Sequence, residues 1–252
     1  MLLKEKELDI NRKLHFIKGD IKNPYDLEKI FQKALEIGKS IEAVIHFAGL
    51  KSVHDSIKNP LLYWENNVVG TINILKIMSK YDCNNFVFSG SATVYKAKSE
   101  KTLCENDICE PINPYGFSKL TIERILNDLH ISNPSKWRIA SLRYFNPVGA
   151  HKSGLIGEDP LGKSNNIYPQ ITKVAIGKLS EIKIYGSDWP THDGTGVRDY
   201  IHVMDLAEGH LAALNYLLKE KPQNIIFNLG TGKGTSALEL IKTFQNINEV
   251  KI

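Results

Sequence analysis

The chain is expected to fold as an α/β protein, a doubly wound parallel sheet, incomplete at its N-terminus, with a smaller lobe. Three observations predict this. Short apolar runs alternate with amphipathic stretches of helical length. The apolar runs end in small residues, as parallel strands buried on both faces do. The alternation breaks between Gly149 and Gly196, where Gly, Asn, Asp, Pro and Ser dominate.

The elements follow in order. LHFIKGD (14–20) reads as a short strand ending in Gly-Asp. Pro24 to Gly38 reads as an amphipathic helix, with Pro in its first turn and Gly at its end. AVIHFAG (43–49) reads as a buried strand, and Asp55 to Tyr81 as a long helix interrupted near Pro60. NFVFSGS (85–91) is the next strand, Tyr115 to Leu129 the next helix, and WRIASLRYF (137–145) a further strand. A helix is expected from about Pro169 to Gly177 and a strongly amphipathic one from Val203 to Lys219. IIFNLG (225–230) is the last strand, and Ser236 to Asn246 the last helix. The stretch opening at Gly149 reads as the start of the smaller lobe.

Composition narrows the function classes. Of 252 residues, 42% are hydrophobic and 24% charged, ordinary for a soluble globular protein. The net charge of +4 comes from 32 basic and 28 acidic residues without a dense basic run, which argues against a nucleic-acid or membrane surface. Three cysteines, Cys83, Cys104 and Cys109, suit neither a disulfide framework nor a zinc site, so no metal is expected and a reducing cytoplasm is. The opening MLLKEKELDINRK carries charge where a signal peptide needs an apolar core, and no apolar run is long enough to span a bilayer.

Doubly wound dinucleotide folds seat the pyrophosphate on a Gly-rich turn after their first strand. Residues 1–19 contain one glycine, Gly19, and offer no such turn. LGTGKGTSALEL (229–240) is a tempting substitute. It is no Walker loop, because Gly234 follows Gly232-Lys233 where Ser or Thr is needed, and a tight strand–helix turn is the simpler reading.

NPYGFSKLTIE (113–123) sets Tyr115 and Lys119 four residues apart, on one face of a helix. A free phenol is a poor base at neutral pH, and a nearby ammonium favours its ionised form. Such a pair can move a proton to or from a sugar hydroxyl. The spacing alone also occurs by chance on helix surfaces. Ser91, in the strand-end stretch SGSATVY, adds context, since ligands bind at strand C-termini in open α/β sheets. Strand-end serines are also ordinary turn residues. The two signals in this order are more specific than either one.

HFAGLKSVHDS (46–56), NNVVGT (66–71), FSGSATVY (88–95), PYGFSK (114–119), LRYFNPVGAH (142–151) and GTGVRDYIHVMDLA (194–207) together resemble the UDP-glucose 4-epimerase family. That family belongs to the extended short-chain dehydrogenase/reductases. The resemblance runs from about Leu14 to Asn246 and implies a Rossmann-like NAD-binding domain over 1–148, truncated at its N-terminus. Over 149–252 it implies substrate-lobe segments interwoven with the returning Rossmann strand and helices.

What the resemblance implies is an isomerase that interconverts UDP-glucose and UDP-galactose with NAD. Hydride leaves C4 for NAD⁺, the 4-keto sugar turns over in the pocket, and hydride returns to its other face. The matching base is Tyr115. Lys119 matches the residue that holds the nicotinamide ribose and depresses the Tyr pKa, and Ser91 the one that bridges to the 4-oxygen. Asp20 and Ile21 match positions near the adenine. Phe47, Ala48, Gly49, Leu50 and Lys51 match the turn beside the pyrophosphate and ribose; from the residues alone, FAG is simple strand-end packing. Asn66 matches a cofactor contact, and Phe145 a neighbour of the nicotinamide. Asn146, Asn166 and Ile167 match UDP contacts, Lys183, Ile184 and Tyr185 the edge that takes the uracil, and Arg198 the diphosphate arginine. From sequence alone Arg198 is equally well paired with Asp199 or Asp205.

Three departures accompany the resemblance. The Gly-rich strand–turn–helix is missing, the chain stops at Ile252 before the family's last sugar-lobe segment, and Gly90 and Lys96 replace residues common in the family. The 252-residue chain is therefore expected to bind NAD weakly or not at all, and an inactive nucleotide-sugar-binding fragment is the non-enzymatic alternative. A 4,6-dehydratase or decarboxylase of the same superfamily is the enzymatic rival. The dehydratase needs an Asp-Glu pair where Ala92 and Thr93 stand. A homodimer through the helices in 55–81 and 115–129 is expected, as in the family's dimers.

Overall fold

The computed structural model describes residues 14–96, 102–160 and 166–252. Residues 1–13, which the sequence reading found to lack a Gly-rich turn, lie outside the described residues. The chain divides into two compact units. Excluding undescribed positions, the first comprises 14–96, 108–142 and 210–227, and the second 102–107, 143–209 and 228–252.

The first unit opens with α1 (Pro24–Glu36), started by Asn23, whose side chain accepts from the Tyr25 N–H. β1 (Ala43–His46), β2 (Asn85–Ser89) and β3 (Arg138–Tyr144) pair in parallel, with His46 beside Phe88 and Ser89 beside Leu142. β6 (Gln223–Leu229) joins β3, giving the order β1-β2-β3-β6. Four of the five residues of β2 are buried, so side chains on both of its faces are covered, as the apolar run NFVFS predicts. The core gathers Phe31, Ile74, Met78, Phe86, Phe88, Ile122, Leu126 and Ile139.

Between β1 and β2 the helix expected over 55–81, interrupted near Pro60, is four pieces with a break there. These are α2 (Val53–Lys58), α3 (Pro60–Tyr63), a π-helical turn (Trp64–Val69) and α4 (Gly70–Lys80). The break before Pro60 follows from its missing N–H. α5 (Pro114–Ser132) is capped by Asn113, whose side chain accepts from Gly116 N at 2.9 Å.

The strand expected at 14–20 does not form. Leu14 and Phe16 are exposed, and among the described residues no strand lies beside this segment to complete a ladder. The segment leads instead into a turn, where Asp20 accepts from Asn23 N and Lys22 N, and its own N–H reaches Asp26.

In the second unit β4 (Asn146–Val148) runs parallel to β5 (Val197–His202), which pairs antiparallel with β7 (Gly234–Ser236). None of these three short strands was expected. α6 (Ile167–Ala175) begins two residues before Pro169, which therefore sits in its first turn. α8 (Ala237–Asn248) starts at a capping box made by Ser236 and Glu239. α7 (Val203–Lys219) has the expected bounds. Among the described residues no helix is long and apolar enough to cross a membrane.

Candidate active site

The first unit brings Tyr115 and Lys119 to the C-terminal ends of β1 and β2. Lys119 is 6% exposed. Its ammonium donates to the Ser89 carbonyl at 2.8 Å, 4.9 Å from the centroid of the Phe88 ring and 5.9 Å from that of Tyr115. Burial pushes the Lys119 pKa down to about 8, and the Glu123 carboxylate partly opposes this. At neutral pH it is therefore still mainly an ammonium.

The loop 47–51 lies against this lysine. A Cβ on Gly49 would sit 3.3 Å from Asn67 Oδ1 and 3.7 Å from Lys119 Nζ, so only glycine leaves this space open. Asn67 fixes the loop from the π-helical turn. Its Oδ1 accepts from Leu50 N at 2.8 Å, and its Nδ2 donates to Leu50 O at 3.0 Å and to Ser118 Oγ at 3.2 Å. Ser118 donates in turn to the Tyr115 carbonyl at 2.7 Å. One buried amide thus joins the loop to the helix that carries Tyr115 and Lys119. π-helical turns often mark functional sites, because the extra residue redirects side chains.

Behind Asn67, Thr71 Oγ1 donates to the Asn67 carbonyl at 2.6 Å. With its one proton spent there, Thr71 accepts from His46 Nε2 at 2.9 Å, which fixes the histidine as the neutral Nε2–H tautomer. Burial, with the Lys119 charge, holds the His46 pKa down at about 3.

Ser91 caps the 3₁₀ turn Ala92–Val94. It accepts from Thr93 N at 3.3 Å and Thr93 Oγ1 at 2.9 Å, which leaves its own O–H proton to donate. A Cβ on Gly116 would lie 2.8 Å from Thr93 O and 2.8 Å from Pro111 Cβ, so the residue next to Tyr115 seats directly on the Ser91 turn. Asn66 donates to Asn67 Oδ1 at 3.1 Å rather than to a strand. Ile21 packs on Gly70, and its carbonyl accepts from Asn73. Phe47 is exposed and lies 4.7 Å, centroid to centroid, from His210. Lys51 is exposed.

The second unit holds the remaining predicted residues. Phe145 meets Gly230, where a Cβ would lie 2.8 Å from its ring, and Asn146 is exposed on β4. Asn166 precedes Ile167 at the start of α6 and donates to Glu158 at 2.8 Å. Lys183 lies 3.8 Å from Glu181, Ile184 is half-buried, and Tyr185 is exposed. Arg198 is exposed and donates to its neighbour's carbonyl at 2.7 Å; Asp199 is engaged elsewhere. The Asp199 carboxylate accepts from Thr231 N, Thr231 Oγ1 and Gly232 N. The amides of Thr231 and Gly232 are thus taken by Asp199 and that of Lys233 by Thr231 Oγ1, as a tight turn requires, so these three do not form a phosphate cradle.

Sequence reading missed Asn67, Thr71, Ser118 and His46. The first two lie in NNVVGT and the third in PYGFSK, so their motifs were visible while their buried bonding was not.

Comparison with known proteins gives one consistent answer. Residues 2–230 match the NAD dependent epimerase/dehydratase family. The chain is 51% identical over 246 residues to a bifunctional UDP-glucose 4-epimerase and UDP-xylose 4-epimerase of Arabidopsis thaliana, spanning 97% of this chain and 68% of that protein. It is 50% identical over 248 residues to a UDP-glucose 4-epimerase of Pisum sativum, with the same coverage. Among solved structures, a UDP-glucose 4-epimerase from Stenotrophomonas maltophila with bound NAD and formylated UDP-arabinopyranose superposes with a TM-score of 0.88 at 44% identity, over 94% of this chain and 68% of that one. One from Bifidobacterium longum, in complex with NAD⁺ and UDP, gives 0.87 at 46%, over 93% and 68%.

Proposed function

We propose, given that the chain belongs to the NAD dependent epimerase/dehydratase family, that it is a UDP-glucose 4-epimerase, interconverting UDP-glucose and UDP-galactose with NAD as cofactor. The observation that carries the reading of the site is the buried Lys119 ammonium, fixed on the Ser89 carbonyl one helical turn from Tyr115. The open space at Gly49 beside that ammonium fits the close approach of a ribose to backbone. We assign Asp20, Ile21, Phe47 to Lys51, Asn66, Lys119 and Phe145 to the cofactor. When bound, NAD supplies the acceptor for C4 oxidation and returns the same electrons to the sugar.

The chain's own residues then handle the proton. Tyr115 takes it from the sugar 4-hydroxyl, and the Lys119 charge favours the phenolate that does so. Ser91 donates its free O–H to the same oxygen. In the return half of the cycle Tyr115 gives the proton back. Asn146, Asn166, Ile167, Lys183 to Tyr185, and Arg198 are assigned to the UDP moiety, with the Arg198 guanidinium suited to phosphate oxygens.

A Tyr115→Phe substitution is expected to keep the fold and lower turnover of UDP-galactose by about 10²–10⁴-fold. Near-parental turnover would overturn the assignment.

We also propose a homodimer. An apolar groove of about 300 Å³ on the first unit is lined by Ile72, Leu75, Lys76 and Ser79 of α4 and by Ile125 and Leu129 of α5, the helices expected to pair. Ile125→Glu should yield a monomer in sedimentation velocity. A dimer of unchanged affinity would exclude this face.

A further inference from the structure

Tyr115, Lys119 and Glu123 occupy i, i+4 and i+8 on α5, so they form one stripe on one face. All three are buried: Tyr115 is 8% exposed, Lys119 6% and Glu123 6%. A buried ammonium and a buried carboxylate one turn apart are costly singly and tolerable together. Among the described residues, the other groups that the structure places against Lys119 supply no negative charge. β1 presents His46, held neutral by its bond to Thr71. β2 presents the Phe88 ring and the Ser89 carbonyl, neither ionisable. The π-helical turn presents the amide of Asn67, and the loop 47–51 carries the like charge of Lys51. Tyr115 is the group on which Lys119 acts.

We propose that Glu123 is the buried counter-charge that keeps Lys119 an ammonium, and so is a positioning residue for the proton transfer at Tyr115. The proposal rests on the reading of Tyr115 and Lys119 above. Nothing in the reaction touches Glu123; its effect passes through the lysine. The opposition of Glu123 to the burial of Lys119 has the same sign.

The test is a titration of Lys119 in the full chain with ¹³C-labelled lysine, its Cε signal assigned by loss in Lys119→Met. Glu123→Gln is expected to lower the titration midpoint by at least about one pH unit. Glu123→Asp, which keeps the charge, should recover most of that fall. The alkaline limb of the turnover–pH profile should move to lower pH by the same amount in the Gln variant. An unchanged midpoint in a folded Glu123→Gln overturns the proposal. If Glu123→Gln fails to fold, the double variant Lys119→Met/Glu123→Gln decides. Folding of the double variant supports a carboxylate buried to serve Lys119; continued failure makes Glu123 a packing residue and overturns the idea. The titration reads Lys119 alone. A Tyr115→Phe variant that still turned over would sink the role of Tyr115 and leave the midpoint shift standing.

Discussion

At the scale of single residues, the site is organised around charge held out of water. Lys119 has a folded pKa of about 8 against an ordinary 10.5. Below pH 8 both states are protonated and the fold carries the full penalty of burying the ammonium. Between pH 8 and 10.5 the folded state sheds its proton first, and the penalty fades. The double variant Lys119→Met/Glu123→Gln, which leaves no buried carboxylate without its counter-charge, should therefore stabilise the protein near pH 7 by at most about 3 kcal/mol, less about 1 kcal/mol for the lost bond to Ser89. That gain should vanish by pH 10.5, as read from urea midpoints. His46 works in the acid range. Its folded pKa of about 3 lies below the ordinary 6.5, so stability falls as pH drops from 6.5 toward 3. Between pH 6.5 and 5 the parent should lose about 2 kcal/mol more than His46→Gln; equal losses would mean that the imidazole charges in the folded state. Tyr115, Lys119 and Ser91 were legible because spacing and strand-end position carry their signal. Glu123 and His46 were not, because a buried polar residue looks in sequence like a solvated one.

At the scale of elements, a turn, a loop and a helix are tied by one amide. Asn67→Leu removes four hydrogen bonds and leaves both backbone polar groups of Leu50 without the Asn67 amide. A cost of about 2–4 kcal/mol is expected, together with weaker NAD retention, measured as nicotinamide released by acid per chain. Unchanged retention would mean that the 47–51 loop needs no anchor. Gly116→Ala should cost about 1–3 kcal/mol, because its Cβ would press on the Thr93 carbonyl. Helix and strand identity over most of the first unit followed from periodicity and punctuation. The π-helical turn did not, since a one-residue change of register is invisible to a 3.6-residue pattern. The segment 14–20 shows the converse failure. Its apolar composition suits a strand, but a strand exists only with a neighbour to bond.

At the scale of the whole molecule, chain order and spatial grouping differ. The sequence suggested a boundary near Gly149, where composition changes. The second unit also recruits 102–107, through the Glu105 carbonyl, which accepts from the buried Arg143, and through Asn228, which donates to Glu105 and Leu103. Two of its three strands, β4 and β7, escaped the reading because three-residue runs such as NPV and GTS carry no period. The family resemblance spans both units, and the catalytic assignment belongs to the first. The most direct measurement supplies NAD⁺ and UDP-galactose to the purified chain and follows UDP-glucose, beside Tyr115→Phe with nicotinamide content matched. Turnover in the parent and its loss by about 10²–10⁴-fold in the variant is the predicted result. Equal rates in the two, or no conversion by a parent that retains its nicotinamide, would contradict the account.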